Sequence, residues 1–126
     1  MRLTQDDQGQ RFIVRSFSDD HVVVNDQSWT QAFILTPEQA KPAPVDTLAG
    51  VDASARDWLL EDNPEVVIIA TGQNTRMGDA RLNSLLMQQG VGIEYMDLGA
   101  ACRTFTVLSS EYRRVSLLVF FEHSFA

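Results

Sequence analysis

The sequence has only one cysteine, Cys102, and only one lysine, Lys41. A single cysteine excludes an intramolecular disulfide, and the two histidines, His21 and His123, do not form a zinc-binding spacing with it. No run of about 18 apolar residues is present that would be long enough to span a bilayer. We therefore expect no bound metal, no cofactor and no membrane-spanning segment.

Basic residues are also scarce, because 10 Lys and Arg oppose 17 Asp and Glu and give a formal net charge of −7. The excess of acidic residues lies in residues 1–65, whereas residues 66–126 hold five residues of each sign. Nucleic-acid binding depends on clustered Lys and Arg, which neutralise phosphates. The composition therefore argues against a nucleic-acid partner.

The chain length and composition are those of an ordinary globular domain. The 126 residues are close to the commonest domain size, and 44% of them are hydrophobic and 21% charged. We expect a single domain over residues 1–126, in which the polar residues 1–10 form a flexible arm. The first residues also lack the apolar segment of a signal peptide. A monomeric, cytoplasmic protein is the expectation.

The first half of the chain predicts β-structure followed by a connector and a helix. Three segments rich in β-branched and aromatic residues predict an antiparallel meander with strands at 11–17, 21–24 and 29–35. Residues 36–49 contain three prolines, which remove backbone donors, so we expect an irregular connector there. A helix is predicted over residues 52–61.

The second half predicts strands that alternate with helices. Residues 66–70 and 115–121 are nearly continuous apolar runs, typical of strands that are covered on both faces. Between them, Asp79 and Asp97 are predicted to cap two helices, and residues 91–96 alternate as a strand does. This order implies crossover connections and a doubly covered α/β sheet, with the N-terminal meander at one side.

Two of the predicted strands end in polar stretches, where open α/β sheets usually bind ligands. The first stretch follows residue 70 and the second begins at Asp97, the start of a helix whose N-terminus attracts anions. We expect the two stretches to be neighbours, with Arg76 reaching in from the loop. The candidate binding residues are Thr71, Gly72, Arg76, Asp97, Cys102, Arg103 and Thr104.

Each of these residues also has an ordinary structural interpretation. Cys102 lies in the first turn of a helix beside Arg103, which would lower a thiol pKa, but a buried packing role is favoured because no histidine is near it in sequence. Asp97 is favoured as a helix cap over an acid or base. The stretch from Gly72 to Gly78 is one residue too long for a phosphate-binding loop and lacks its lysine. We predict no catalytic residue.

Residues 90–97 read GVGIEYMD, and residues 99–105 read GAACRTF. This combination resembles the Mth938-like domain family, a domain of unknown function. Leu108, Glu111, Arg113, Arg114 and Val115 extend it. IATG at residues 69–72 and FILTP at residues 33–37 also fit, so the resemblance covers nearly the whole chain.

The resemblance implies a three-layer α/β fold with a mixed central sheet flanked by helices. It also implies kinship with mitochondrial assembly factors of respiratory complex I, which have no known enzymatic activity. The sequence departs from the family pattern at Leu98, Phe105, Thr106 and Tyr112, where threonine, tyrosine, asparagine and a small residue are usual. These changes remove polar groups beside the candidate site and weigh against a catalytic hydroxyl there.

Two functional hypotheses remain open. The favoured one is a non-catalytic interaction or assembly factor, with subunits or assembly proteins of a respiratory complex as partners. The alternative is a small-anion or metabolite binding protein, or an enzyme, that uses the loop at Thr71 and Gly72 together with the helix start at Cys102 and Arg103.

Overall fold

The computed structural model describes residues 11–125. Residues 1–10, for which the sequence predicts a flexible arm, and Ala126 lie outside the described residues.

A small antiparallel sheet forms the start of the described chain. It contains β1 (Val14–Phe17), β2 (Val22–Val24) and β3 (Gln27–Trp29) in that spatial order. Asn25, in the turn between β2 and β3, has a φ of 53°, a left-handed conformation that asparagine tolerates better than most residues. The predicted three-stranded antiparallel meander is confirmed; its first two strands are shorter than expected, and its third strand does not have the predicted bounds.

The third predicted strand, over residues 29–35, is wrong as a single element. The chain leaves the small sheet after Trp29 and begins β4 (Phe33–Thr36) in a second sheet. All four residues of β4 are buried. A strand that is covered on both faces belongs at the centre of a sheet, which the half-exposed meander cannot provide.

The prediction of an irregular connector over residues 36–49 is also wrong. Residues Gln39–Pro42 form β5, which pairs antiparallel with β4. The Thr36 hydroxyl accepts hydrogen bonds from the backbone N–H groups of Glu38 and Gln39, both at 3.2 Å, and so shapes the turn between the strands. β5 is an edge strand, and its last residue is the proline, a position where the missing donor costs little.

The helix predicted over residues 52–61 is shorter in the structure. A 3-10 turn at Ala53–Ala55 leads into α1 (Arg56–Leu59). The Asp52 carboxylate accepts a hydrogen bond from the Ser54 backbone N–H at 2.9 Å and so begins the turn. Another 3-10 turn lies at Leu48–Gly50.

The remaining elements complete a mixed five-stranded sheet. They are β6 (Val66–Thr71), α2 (Ala80–Gln88), β7 (Gly92–Met96), α3 (Leu98–Ser110) and β8 (Val115–Phe120). The strand order is β5-β4-β8-β6-β7, with β6 parallel to both β7 and β8 and β4 antiparallel to β8. The predicted alternation of strands and helices is confirmed, as are the caps at Asp79 and Asp97.

The central sheet separates two apolar clusters, so the elements form three layers. On one face, α3 and the small sheet cover side chains that include Ile68 and Leu117. On the other face, α2, α1 and the 3-10 turn before α1 cover side chains that include Ile69 and Leu118. The last described residues, Glu122–Phe125, form a 3-10 turn. This arrangement places α3 and β1 side by side in one outer layer.

Candidate functional site

The ends of β6 and β7 lie side by side, as the sequence predicts. Ala70 and Met96 are partners in the parallel pairing of the two strands. The Leu98 backbone N–H donates to the Gly72 carbonyl oxygen at 2.7 Å, which joins the loop after β6 to the start of α3. The two loops of the candidate site therefore form one corner of the molecule.

The Thr71 hydroxyl is occupied within this corner. Thr71 is fully buried, and its single hydroxyl hydrogen has two carbonyl oxygens within reach, that of Asn74 at 2.7 Å and that of Met96 at 3.2 Å. The same oxygen accepts a hydrogen bond from the Arg76 backbone N–H at 3.0 Å. Its partners belong to the loop and to the end of β7, which is the arrangement of a residue that holds a turn in place.

Arg76 connects the loop to the C-terminal turn. Its Nη1 donates to the Thr71 carbonyl oxygen at 2.6 Å, and its Nη2 lies 3.2 Å from Oε2 of Glu122. The guanidinium also lies 3.9 Å from the centre of the Phe125 ring. The hydrogen bonds from Arg76 and from the Gln73 backbone N–H hold the pKa of Glu122 below its usual value.

Gly72 fits between these partners because it has no side chain. Its φ is +77°, and an added Cβ would overlap the Glu122 carboxylate. Arg76 therefore binds across Gly72 to the C-terminal turn, beside a depression of about 470 Å³ that Met77 and Phe125 also line.

Asp97 is the N-cap of α3. Its Oδ1 accepts a hydrogen bond from the Ala100 backbone N–H at 3.0 Å. Arg103, six residues further along the chain, is exposed, and its Nη1 lies 3.1 Å from the position that a Cβ of Gly99 would take. Thr104 is half-buried on the same helix.

Cys102 has the buried packing role that its surroundings in the sequence favoured, and the lowered pKa that Arg103 alone would produce is not found. Burial among apolar side chains raises the pKa of the Cys102 thiol to about 12, and the opposing effect of Arg103 is smaller. Only 1% of the residue is exposed. The thiol is consequently neutral at physiological pH, where only the thiolate is a strong nucleophile.

A groove of about 600 Å³ lies between β1 and α3. Its lining residues are Val14, Arg15, Ser16, Phe17, Cys102, Arg103, Thr106 and Val107. Phe17 is 40% exposed and Val107 is 53% exposed, so two large apolar side chains meet solvent in the same groove. The groove includes two of the residues proposed from the sequence, Cys102 and Arg103, and leaves out the other five.

A smaller depression of about 140 Å³ continues along α3 and shares Thr106 with the groove. Arg11 and Ile13 line it together with Phe105 and the end of the helix. Arg11 donates from Nη2 to the carbonyl and hydroxyl oxygens of Ser109 at 2.9 and 3.0 Å. This smaller depression therefore contains an arginine, as the groove does with Arg15 and Arg103.

The sequence predicts residues on the helix side of this groove and none on its strand side. Val107 was the available signal on the helix, because it is an apolar residue among the outward-facing Arg103, Thr106 and Ser110. No comparable signal marks β1.

Over residues 11–125, no three His, Cys, Asp or Glu side chains are grouped so that they could hold a metal ion. In the same part of the chain, every helix is too short or too polar to cross a bilayer.

Residues 14–120 match a protein family described as a protein of unknown function (DUF498/DUF598). The chain belongs to this family. A Bordetella pertussis member solved by NMR is described as a Mth938-like domain; it is 26% identical, covers 95% of this chain and 92% of its own, and superposes with a TM-score of 0.75. The NMR structure of a Xanthomonas campestris protein is 32% identical over 95% of this chain and 92% of its own, with a TM-score of 0.82. The predicted Mth938-like three-layer fold is confirmed.

Curated proteins from a bacterium and from human match part of this chain. The "13 kDa major membrane protein" of Francisella tularensis is 27% identical over 60% of this chain. The human "NADH dehydrogenase [ubiquinone] 1 alpha subcomplex assembly factor 3" is 34% identical over 49% of this chain. The matched part of this DUF498/DUF598 member spans 61% of the Francisella protein and 34% of the human protein.

Proposed function

We propose that this chain is a non-catalytic interaction protein that assists the assembly of a protein complex. The observation that carries the proposal is the groove between β1 and α3, where Phe17 and Val107 remain 40% and 53% exposed. Apolar side chains that are grouped at a surface mark sites of protein contact. The proposed partners are subunits or assembly proteins of a respiratory complex, in line with the name of the human relative.

The state of the candidate polar groups supports a binding role over catalysis. Thr71 and Arg76 direct their hydrogen bonds to the loop and to Glu122, and Asp97 caps a helix. Cys102 has a raised pKa and is buried. None of these four groups is poised as a nucleophile or a general base.

Photocrosslinking in the native cell tests the proposal. A benzophenone amino acid placed at Val107 should crosslink reproducibly to a distinct protein partner. The matched control is the same amino acid at Met87, which is 68% exposed on α2 behind the opposite face of the sheet. Absence of a reproducible partner at position 107, or the same set of proteins at both positions, would contradict the proposal.

The second candidate function is the binding of a small anion or metabolite at the start of α3. It is favoured by one observation, the exposed Arg103 guanidinium beside Gly99 and the groove. A metabolite screen by thermal shift tests it with the variants Arg103→Ala and Cys102→Ser. Ligand-induced shifts that are unchanged in both variants would exclude this site.

We further propose that the chain is a single domain and a cytoplasmic monomer. Light scattering after size exclusion should give a mass near 14.1 kDa, and cell fractionation should find the chain in the cytoplasmic fraction. A dimer mass would refute the first part, and recovery with membranes alone would refute the second.

A further inference from the structure

The groove runs along the free edge of the small sheet. β1 is the outer strand of that sheet and pairs with β2 alone. The whole of β1 lines the groove, through Val14, Arg15, Ser16 and Phe17. Because alternate side chains of a strand point to opposite faces, a groove lined by every residue in succession follows the edge of the strand.

The opposite wall is one face of α3. The helix residues that line the groove come from two successive turns and share one face of α3. They are Cys102, Arg103, Thr106 and Val107. The floor is apolar, formed by the buried Cys102 and the half-buried Val14. A groove between an edge strand and a helix is the geometry in which extended peptides add as a further strand.

In the part of the chain that the structure describes, the groove is lined by two arginines and by no carboxylate, although the chain as a whole is acidic. Arg15 and Arg103 lie on its two sides, and Arg11 lies in the adjoining depression. Within residues 11–125, no carboxylate forms an ion pair with any of these three arginines, whereas Arg56, Arg76 and Arg113 each have one. In a chain with a net charge of −7, this grouping is complementary to an acidic ligand.

We propose that the groove binds an extended acidic segment of a protein partner, which adds as a strand to the edge of β1 and packs its apolar side chains against α3. This inference rests on the proposed interaction function and names the chemistry of the partner. β1 has four residues, so at about 3.3 Å per residue it can pair with a segment of roughly four to six residues. The bound segment carries acidic residues next to apolar ones, because alternate side chains face the arginines and the groove floor.

A second copy of the chain fits the edge less well. Pairing of β1 with β1 would bring Arg15 and Arg103 of both copies into one interface, and like charges oppose such contact.

The first experiment selects ligands from a random heptapeptide library displayed on phage, with the full chain as target. We expect enrichment of peptides that alternate Asp or Glu with apolar residues. Titration of the best synthetic peptide into the ¹⁵N-labelled chain should shift the amide signals of residues 14–17 and 102–107. A basic consensus, or shifts that map to α2, would overturn the inference.

The second experiment separates strand addition from simple packing in the groove. Two versions of the selected peptide are N-methylated at alternate amides, one at the odd positions and one at the even positions. In a strand, only alternate N–H groups point towards the neighbouring strand. One version should therefore lose at least about tenfold in affinity and the other should bind like the parent peptide. Unchanged affinity of both versions would overturn the inference.

Charge-reversal variants test the two arginines. Arg15→Glu and Arg103→Glu should each weaken binding of the selected peptide by about tenfold or more. Arg81→Glu is the matched control, because Arg81 is exposed in the first turn of α2 and its reversal changes the net charge equally. Equal loss of affinity in all three variants would overturn the inference.

The two proposals fail in different ways. If Val107 crosslinks to a native partner but no acidic peptide binds along β1, the interaction function stands and strand addition is refuted. If an acidic peptide binds along β1 but position 107 captures no cellular partner, the groove is a peptide site and the assembly role is refuted.

Discussion

Cys102 is followed in the sequence by Arg103, whose charge would favour a thiolate. The side chain packs instead in the cluster that contains Ala101, Phe105 and Leu98. Desolvation therefore has the larger effect on its pKa, and the neighbouring guanidinium has the smaller one. For a single ionisable residue, the side chains that surround it in space decide its chemistry.

This difference predicts slow modification of Cys102 in the folded chain. With a pKa raised from 9.0 to about 12, the thiolate fraction near neutral pH falls about 1,000-fold, and burial slows access further. A colorimetric disulfide reagent should label the native chain at least about 1,000-fold more slowly than the urea-unfolded chain. Cys102 is the only cysteine, so the signal is specific. Labelling at similar rates in both states would contradict the raised pKa.

Glu122 gives a second prediction at this scale, because its pKa is lowered by Arg76 and by the Gln73 backbone N–H. A depressed carboxyl pKa stabilises the fold above the pKa of the unfolded chain, and this stabilisation is lost as the pH falls through the folded pKa. Glu122→Gln should therefore be less stable than the parent chain at about pH 7, and the difference should shrink at about pH 3.

Urea unfolding at the two pH values measures this effect. Glu38→Gln is the matched control, since Glu38 is exposed and has no ion pair among the described residues. We expect the control to differ little from the parent chain at either pH. A Glu122→Gln deficit that stays constant down to about pH 3 would show that the carboxylate charge is not its cause.

At the scale of elements, α3 carries both the corner at the strand ends and one wall of the groove. Its N-cap is Asp97, whose carboxylate accepts the Ala100 backbone N–H at 3.0 Å. Asp97→Ala should lower the free energy of unfolding by about 1 kcal/mol, because the first turn loses an acceptor. Asp97→Asn should cost much less, since asparagine caps nearly as well. The measurement is urea unfolding, and an equal loss in both variants would mean that the charge matters more than the cap.

The elements that could be predicted from the sequence are those with a strong local pattern. The continuous apolar runs predicted β6 and β8, and a capping aspartate followed by 3–4 spacing predicted α2 and α3. β5 could not be predicted, because Gln39–Pro42 is polar and ends in proline, and its strand conformation comes from pairing with β4. The end of β3 at Trp29 could not be predicted either, since Thr30 and Gln31 are not residues that typically mark a turn.

The candidate site was predictable only in part, for a related reason. The corner formed by the loops after β6 and β7 follows from topology, and the sequence placed it correctly. The groove joins Val14 to Val107, which are far apart in sequence, and it depends on how the small sheet packs beside α3. The exposure of Phe17 and the presence of Arg15 and Arg103 in one groove are properties of the folded chain. No local sequence pattern indicates them.

At the scale of the whole molecule, the central sheet couples the two apolar clusters. Successive residues of β8 serve opposite faces: Leu117 and Val119 lie in the cluster under α3, and Leu118 and Phe120 in the cluster under α2. If either outer layer unfolded, one apolar face of β8 would be exposed to water. The other layer packs against the opposite face of the same strand and would be destabilised as well. The packing therefore favours a single cooperative unit, as proposed for the chain.

The two tryptophans allow a direct test, because Trp29 packs against the first cluster and Trp58 against the second. In the variants Trp29→Phe and Trp58→Phe, the remaining tryptophan reports one layer by fluorescence. In each variant, the urea midpoint measured by tryptophan fluorescence should coincide with the midpoint measured by circular dichroism. Adding Leu118→Ala should lower the free energy of unfolding by about 2–5 kcal/mol in both backgrounds, since the cavity lies in the shared sheet. Fluorescence transitions that separate from the circular dichroism transition would show that the layers unfold independently, which would refute the single-domain proposal.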